Sequence, residues 1–169
     1  ACLIAQNIAP GFNREFVSES WEFMPDDMYD KLRAEADQAA DYDREVEVYA
    51  YDIDPEMVEI AKRNAEEVGL SEIIQFKVKD VNTLSIDHDD PVALIGNPPY
   101  GERIGDREEV ETMYRYIGKL MKAHPHLSAY ILTSNKEFEH LVNRKATKRR
   151  KLFNGYIECT YYQYWGAKK

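Results

Sequence analysis

Four short apolar or alternating runs, separated by stretches with helix signals, constrain this chain more than any other feature. They are Glu45–Tyr51, Ile73–Lys79, Val92–Gly96 and Ser128–Thr133. Between them, Pro25-Asp26-Asp27 starts a helix that runs to about Ala40, its early acids complementing the helix dipole. Pro55 opens a second helix through Glu67 that stops at Gly69. Glu108–Ala123 has amphipathic spacing, and a short helix follows from Lys136 to about Asn143. Strands alternating with helices predict an α/β fold, a doubly wound and mostly parallel sheet. Lys148–Phe153 and Tyr156–Trp165 flank Asn154-Gly155, a hairpin turn signal. At the other end, Ala1 to about Ile8 reads as the end of a helix stopped by Pro10-Gly11. Phe12–Met24, with Trp21, reads as an irregular insertion. No repeat or low-complexity linker divides the chain, so residues 1–169 read as a single domain. Within it, 1–45 hold a helix remnant, the insertion and a helix, and 46–169 form the sheet.

Composition sets outer limits. With 169 residues and 44% apolar content, the chain has material for a real core. No apolar run is long enough to span a bilayer. Ala1-Cys2-Leu3-Ile4-Ala5 is apolar but short and lacks a basic leader, so it reads as helix rather than signal peptide. Cys2 and Cys159 stand at opposite ends without metal-ligand spacing, as isolated thiols suited to a reducing cytoplasm. His88, His124, His126 and His140 form no cluster, and no metal is expected.

The strand Val92–Gly96 runs directly into Asn97-Pro98-Pro99-Tyr100-Gly101. Two prolines stop the strand and stiffen the chain as it leaves the sheet. In open α/β sheets, ligands bind beyond the carboxyl ends of the strands. An amide, a rigid carbonyl and an aromatic ring therefore converge where a ligand would sit. The set suits a flat substrate carrying an exocyclic or amide NH2, a poor nucleophile because its lone pair is delocalised. The Asn97 side-chain oxygen and the Pro98 carbonyl would each accept one N–H and aim the lone pair at an electrophile. Tyr100 would stack on the ring. Neither acceptor is a strong base, so the proton would leave late, and positioning outweighs abstraction. The plainer reading is a Pro-Pro turn closing a strand, with Asn97 capping the next segment.

Asn97-Pro98-Pro99-Tyr100 resembles the catalytic motif of the class I S-adenosylmethionine-dependent amino-methyltransferases, which modify adenine N6, guanine N2 or glutamine side chains. The string continues as Gly101-Glu102-Arg103-Ile104-Gly105. At that length it is similar to the THUMP-associated (UPF0020-type) RNA methyltransferases, in particular those that methylate guanine N2 in large-subunit ribosomal RNA. Ile8-Ala9-Pro10-Gly11, with Arg14 and Phe16 after it, resembles that family's segment following its cofactor loop. The resemblance runs over nearly the whole chain. It implies a Rossmann-like fold whose sheet closes with a C-terminal antiparallel hairpin.

It also implies S-adenosylmethionine as cofactor. Asp52 ends the first strand run, where a carboxylate accepts both ribose hydroxyls of a nucleoside. Asp54-Pro55 begins the next helix, so Asp54 reads as its N-cap. Favouring Asp52 as the ribose ligand rests on the family pattern. Ile53 would then flank the adenine face, Asp80 would accept the adenine amino group with Val81 nearby, and Asn97 would serve cofactor and substrate alike. A turn or cap is the competing reading for both acids. By resemblance, Arg103 grips a substrate phosphate or orders its loop through Glu102 or Asp106, against the alternative of a plain surface pair.

A net charge of −9 sits oddly with an RNA partner, but the charge is uneven. Arg144, Lys145, Lys148, Arg149, Arg150 and Lys151 cluster near the C-terminus, while acids concentrate before residue 112. Such a cluster contacts phosphate, with Arg149 and Arg150 as candidates, or it is a solvated edge strand. Much of the attraction for RNA would come from an N-terminal RNA-binding domain outside this chain. Met113, Tyr116, Ile117 and Leu120 read as core, and the alternating Tyr161-Tyr162-Gln163-Tyr164-Trp165 reads as sheet packing rather than stacking surface.

The largest departure from the family is an absence. These methyltransferases carry a first strand ending in Asp-Pro-x-Cys-Gly-Ser-Gly, whose glycines let the backbone approach the methionine part of the cofactor. The eight glycines here are scattered and form no such loop. The expectation is a catalytic domain lacking its first strand and glycine loop, poorly stable and inactive as an isolated segment. Besides a guanine-N2 RNA methyltransferase, two readings stay open. One is an adenine-N6 or protein-glutamine methyltransferase, the other a non-catalytic methyltransferase-like binding module.

Overall fold

The computed structural model describes residues 1–87, 89–99 and 106–168, in two compact units, Ala1–Lys79 and Asp80–Lys169. In the first unit a short helix, α1 (Cys2–Ala5), gives way at Asn7, whose φ is +53°. Asparagine tolerates this left-handed turn, and its Nδ2 donates to the Ala39 carbonyl at 2.8 Å. The helix expected to reach Ile8 therefore ends earlier. Ala39 closes α2 (Met28–Ala39), reached through an irregular stretch containing a 3-10 turn, Val17–Ser20. There the Glu19 carboxylate accepts the Phe16 N–H at 2.8 Å and pairs with Arg33 of α2.

Two strands, β1 (Val48–Asp52) and β2 (Ile74–Val78), pair in parallel through the crossover helix α3 (Pro55–Glu66). Pairing starts with Val48 opposite Ile74, so the predicted start at Glu45 falls before any partner residue. Asp54 caps α3 by accepting the Glu56 N–H at 2.8 Å, and Gly69, at φ +70°, turns the chain out of it. The small core of this unit is Cys2, Ala65 and Leu70, with Val48, Ile74 and Phe76 packed around them.

The second unit opens with a 3-10 turn, Val81–Thr83, and then β3 (Val92–Gly96), α4 (Asp106–Ala123), β4 (Leu127–Thr133), α5 (Phe138–Leu141), β5 (Lys148–Asn154) and β6 (Ile157–Tyr164). Its sheet has the order β3-β4-β6-β5. β3 and β4 are parallel, and β6 is antiparallel to both its neighbours, so β6 alone runs against the other three. The fold is α/β with the expected closing hairpin.

Helix α4 buries Val110, Tyr114, Ile117 and Met121, one face at helical spacing, against Leu127, Ala129 and Ile131 of β4 and Tyr162 and Tyr164 of β6. Met113 and Tyr116, expected in this core, are only partly buried, because the stripe is centred one residue later. Phe138 completes it with its ring edge-on to Tyr114, centroids 4.8 Å apart. Burial pushes the Tyr164 phenol up, and its hydroxyl donates to the Arg144 carbonyl at 3.2 Å.

The hairpin turn is shifted by one residue from its sequence signal. Asn154 pairs with Ile157, so the loop is Gly155-Tyr156. Gly155 alone there has positive φ (+60°), the pattern of a II′ turn with glycine first. Cys2 and Cys159 are free thiols and buried. Among the described residues no helix is long and apolar enough to cross a membrane.

Candidate functional site

Pleating decides what β3 presents. Val92 and Leu94 pack against the α4 core, while Ile95, two-thirds exposed (66%), turns to the other face of the sheet. That face is a groove of about 430 Å³, in the size range of small-molecule sites. Tyr130 and Leu132 of β4, Tyr161 of β6 and Arg150 of β5 line it, with Gly96 and Asn97 at the end of β3. The Tyr130 and Tyr161 rings stack at 6.3 Å with 23° between planes. Asn97 is exposed, Pro98 half-buried and Pro99 exposed. The amide thus emerges beside open concave space rather than into packed apolar surroundings. Tyr100 and Arg103, with the rest of 100–105, lie outside the described residues.

Behind the prolines lies a polar connection that the sequence did not reveal. The Tyr114 hydroxyl donates to the Pro99 carbonyl at 3.4 Å and meets the Thr133 hydroxyl at 2.8 Å. Thr133 Oγ1 in turn accepts the Asn135 N–H at 3.1 Å. Both residues are fully buried, at 0% exposure. A tyrosine on an apolar helical stripe reads as core, which hides its hydroxyl from periodicity.

The candidate cofactor residues fall in both units. In the first, Asp52 ends β1 exposed, and its Oδ1 accepts the Asp54 N–H at 3.0 Å. Asp54 is committed to the helix cap, as the sequence suggested. Between them the Ile53 side chain is 69% exposed, an apolar surface held out beside a carboxylate. That pairing of a hydroxyl acceptor with an apolar face fits a nucleoside. In the second unit, Asp80 Oδ1 accepts the Asn82 N–H at 2.8 Å and its Nδ2 at 3.0 Å, which caps the 3-10 turn. Asn82 Oδ1 is buried without a hydrogen-bond partner among the described residues. The Val81 side chain is half-buried and packs against the core.

The basic cluster is divided by strand alternation. Arg149 reaches Glu139 at 3.2 Å, whereas Arg150 lines the groove with Asn97. Lys151 pairs with Glu158 at 2.6 Å and holds that carboxyl below the usual carboxylate range. Arg144 lies over the Tyr164 ring, 5.8 Å from its centroid. The cluster predicted from sequence is therefore partly self-neutralised, and Arg150 is the member brought to the groove.

The UPF0020 family (RMKL-like, methyltransferase domain) matches residues 1–163, across both units. YpsC of Bacillus subtilis (strain 168), which carries the name of an RNA methyltransferase, is 52% identical over 165 residues, covering 98% of this chain and 43% of YpsC. Ribosomal RNA large subunit methyltransferase K/L of Shewanella frigidimarina is 37% identical over 169 residues, covering 95% of this chain and 23% of that protein. The crystal structure of the methyltransferase SMU.472, complexed with SAH, matches with a TM-score of 0.91 at 39% identity, covering 99% of this chain and 44% of that one. The chain spans less than half the length of each of these relatives.

Proposed function

We propose that this chain, which belongs to the UPF0020 family of RMKL-like methyltransferase domains, carries the amine-holding part of an enzyme that methylates an exocyclic base amine in RNA. The acceptor we assign is guanine N2 of large-subunit ribosomal RNA. One observation carries the reading: an exposed Asn97 beside a groove at the end of β3, followed by two prolines that restrain the direction of the Pro98 carbonyl. The family's cofactor, S-adenosylmethionine, supplies an electrophilic methyl group when bound.

This chain's residues do the positioning. The Asn97 oxygen and the Pro98 carbonyl accept the two N–H bonds of the acceptor amine, so its lone pair points away from both. Positive charge that develops on the nitrogen is met by two carbonyl dipoles at no cost in reorganisation. Pro99 keeps that arm straight, and Tyr100 stacks on the flipped base. Asp52 accepts the ribose hydroxyls, and Ile53 lies on the adenine face. Asp80 receives the adenine amine through the oxygen not spent on its cap, beside the Val81 main chain. Arg103, Arg149 and Arg150 contact phosphate, assisted by an N-terminal THUMP-type RNA-binding domain, in the cytoplasm. The name of the Shewanella relative supports ribosomal RNA as the substrate class.

Two measurements test this. In the full-length protein, Asn97→Ala is expected to lower methyl transfer by on the order of a hundredfold while cofactor affinity stays near normal. Unchanged turnover removes Asn97 from the mechanism. Mass spectrometry of nucleosides and tryptic peptides from a knockout strain identifies the acceptor. Loss of N2-methylguanosine from ribosomal RNA is expected, and loss of N6-methyladenosine or of methylglutamine instead would replace the substrate assignment. No loss of any methylated species would favour a non-catalytic module.

A further inference from the structure

We infer that Tyr114 and Thr133 are positioning residues that fasten the amine-holding arm, an inference that rests on the reading of Asn97 and Pro98 just given. The polarity of their hydrogen bonds follows from the end groups. The Asn135 N–H can only donate, and the Pro99 carbonyl can only accept. The chain therefore runs one way, from the Asn135 amide to the Thr133 hydroxyl, to the Tyr114 hydroxyl, to the Pro99 carbonyl. Both hydroxyls thus find hydrogen-bond partners in a site where both residues are fully buried.

What the relay fixes is the one freedom the prolines leave. Rings lock φ at Pro98 and Pro99, and a following proline restrains ψ at Asn97 and Pro98. The ψ of Pro99 is unrestrained by either effect, and it sets the direction of the Pro99 carbonyl. Holding that carbonyl from α4 and β4 makes the Asn97-Pro98-Pro99 arm rigid against the core of the unit. Thr133 ends β4 immediately beside β3, so sheet and helix share the fastening.

The test compares Tyr114→Phe, Thr133→Val and Thr133→Ser in the full-length protein, using an unmodified large-subunit ribosomal RNA transcript as acceptor. Tyr114→Phe keeps the ring on Phe138 and removes only the hydroxyl. It is expected to lower kcat three- to tenfold, the worth of one neutral hydrogen bond, with KM for cofactor and RNA nearly unchanged. Thr133→Val should do the same, Thr133→Ser should restore most of the rate, and the double variant should be no worse than either single one. Wild-type kcat in both Tyr114→Phe and Thr133→Val, or failure of serine to rescue, overturns the inference. Should Tyr114→Phe fold poorly, the Thr133 pair decides alone. Asn97→Ala in the same assay separates the two claims: its normal turnover sinks the amine-holding reading, whereas its loss beside unaffected Tyr114→Phe and Thr133→Val sinks the fastening alone.

Discussion

Asp52 and Asp54 are two residues apart, carry the same carboxylate and do different work. Asp54 is spent on the first turn of α3, where its side chain accepts the Glu56 N–H. Asp52 spends Oδ1 on the Asp54 N–H. Removing the cap costs helix stability, typically about 1 kcal/mol, and leaves the ligand-holding group in place. On the proposed reading, removing Asp52 withdraws a charged acceptor from two ribose hydroxyls, and hydrogen bonds to charged groups are worth roughly 1.5–3 kcal/mol. In the full-length protein, Asp54→Ala should therefore lower the melting temperature by a few degrees with cofactor affinity little changed. Asp52→Ala should weaken S-adenosylmethionine binding about tenfold or more with nearly unchanged melting. Calorimetric titration with thermal melts of both variants checks this, and a swap of the two phenotypes would reverse the roles. The Asp54 cap was legible in the sequence, because Asp-Pro at a helix start has a known capping use. Tyr114 was not: nothing in a 3.6-residue period says that a core tyrosine also holds a loop carbonyl.

At the scale of elements, close approach matters where side chains are missing. A Cβ on Gly118 of α4 would stand 2.3 Å from the Val142 carbonyl oxygen and 2.9 Å from its carbon. Alanine is favoured over glycine inside a helix by about 1 kcal/mol, so propensity alone predicts that Gly118→Ala stabilises. The obstacle here is backbone at the end of α5, which cannot rotate aside, and overpacking of this kind costs about 1–3 kcal/mol. The clash should win, giving a net loss of up to about 2 kcal/mol in urea unfolding. A more stable Gly118→Ala would show that α5 yields freely. The irregular stretch before α2 is held by charge instead. Arg33 first, and then the Phe16 N–H, keep the Glu19 carboxyl below its ordinary value of 4.5. A depressed folded pKa gives stability that is present above the ordinary value and lost as pH falls beneath it. Trp21 fluorescence should therefore report loosening of this stretch below about pH 4.5, and Glu19→Gln should abolish that transition. An identical acid transition in Glu19→Gln would place its origin elsewhere. Strand and helix order was readable because hydrophobic period and Pro or Gly punctuation agree along most of the chain. The turn at Gly155-Tyr156 was displaced from Asn154-Gly155 because cross-strand register, which no local signal encodes, chose the loop.

At the scale of the whole molecule, the two sheets end in edges. Among the described residues β1 pairs only with β2, and β3 only with β4. Each edge strand presents main-chain donors and acceptors that a further strand would satisfy. On β3 the edge adjoins the groove face with Ile95 exposed, and the strands of the first unit pack on a small buried cluster of Cys2, Ala65 and Leu70. The eight glycines include no cluster able to bring backbone against the methionine part of a cofactor. In the proposed function these 169 residues supply acceptors for the nucleoside end, in Asp52 and Asp80, and the amine-holding arm at Asn97. Half of a ligand's contacts do not give half of its binding constant, because the ordering cost falls entirely on the contacts that remain. The segment expressed alone should accordingly unfold at low denaturant and bind S-adenosylmethionine no better than about millimolar, whereas the full-length protein is expected to bind it in roughly the micromolar range. Isothermal calorimetry on the two forms decides the matter. Micromolar binding by residues 1–169 alone would overturn the proposed need for a first strand and glycine loop.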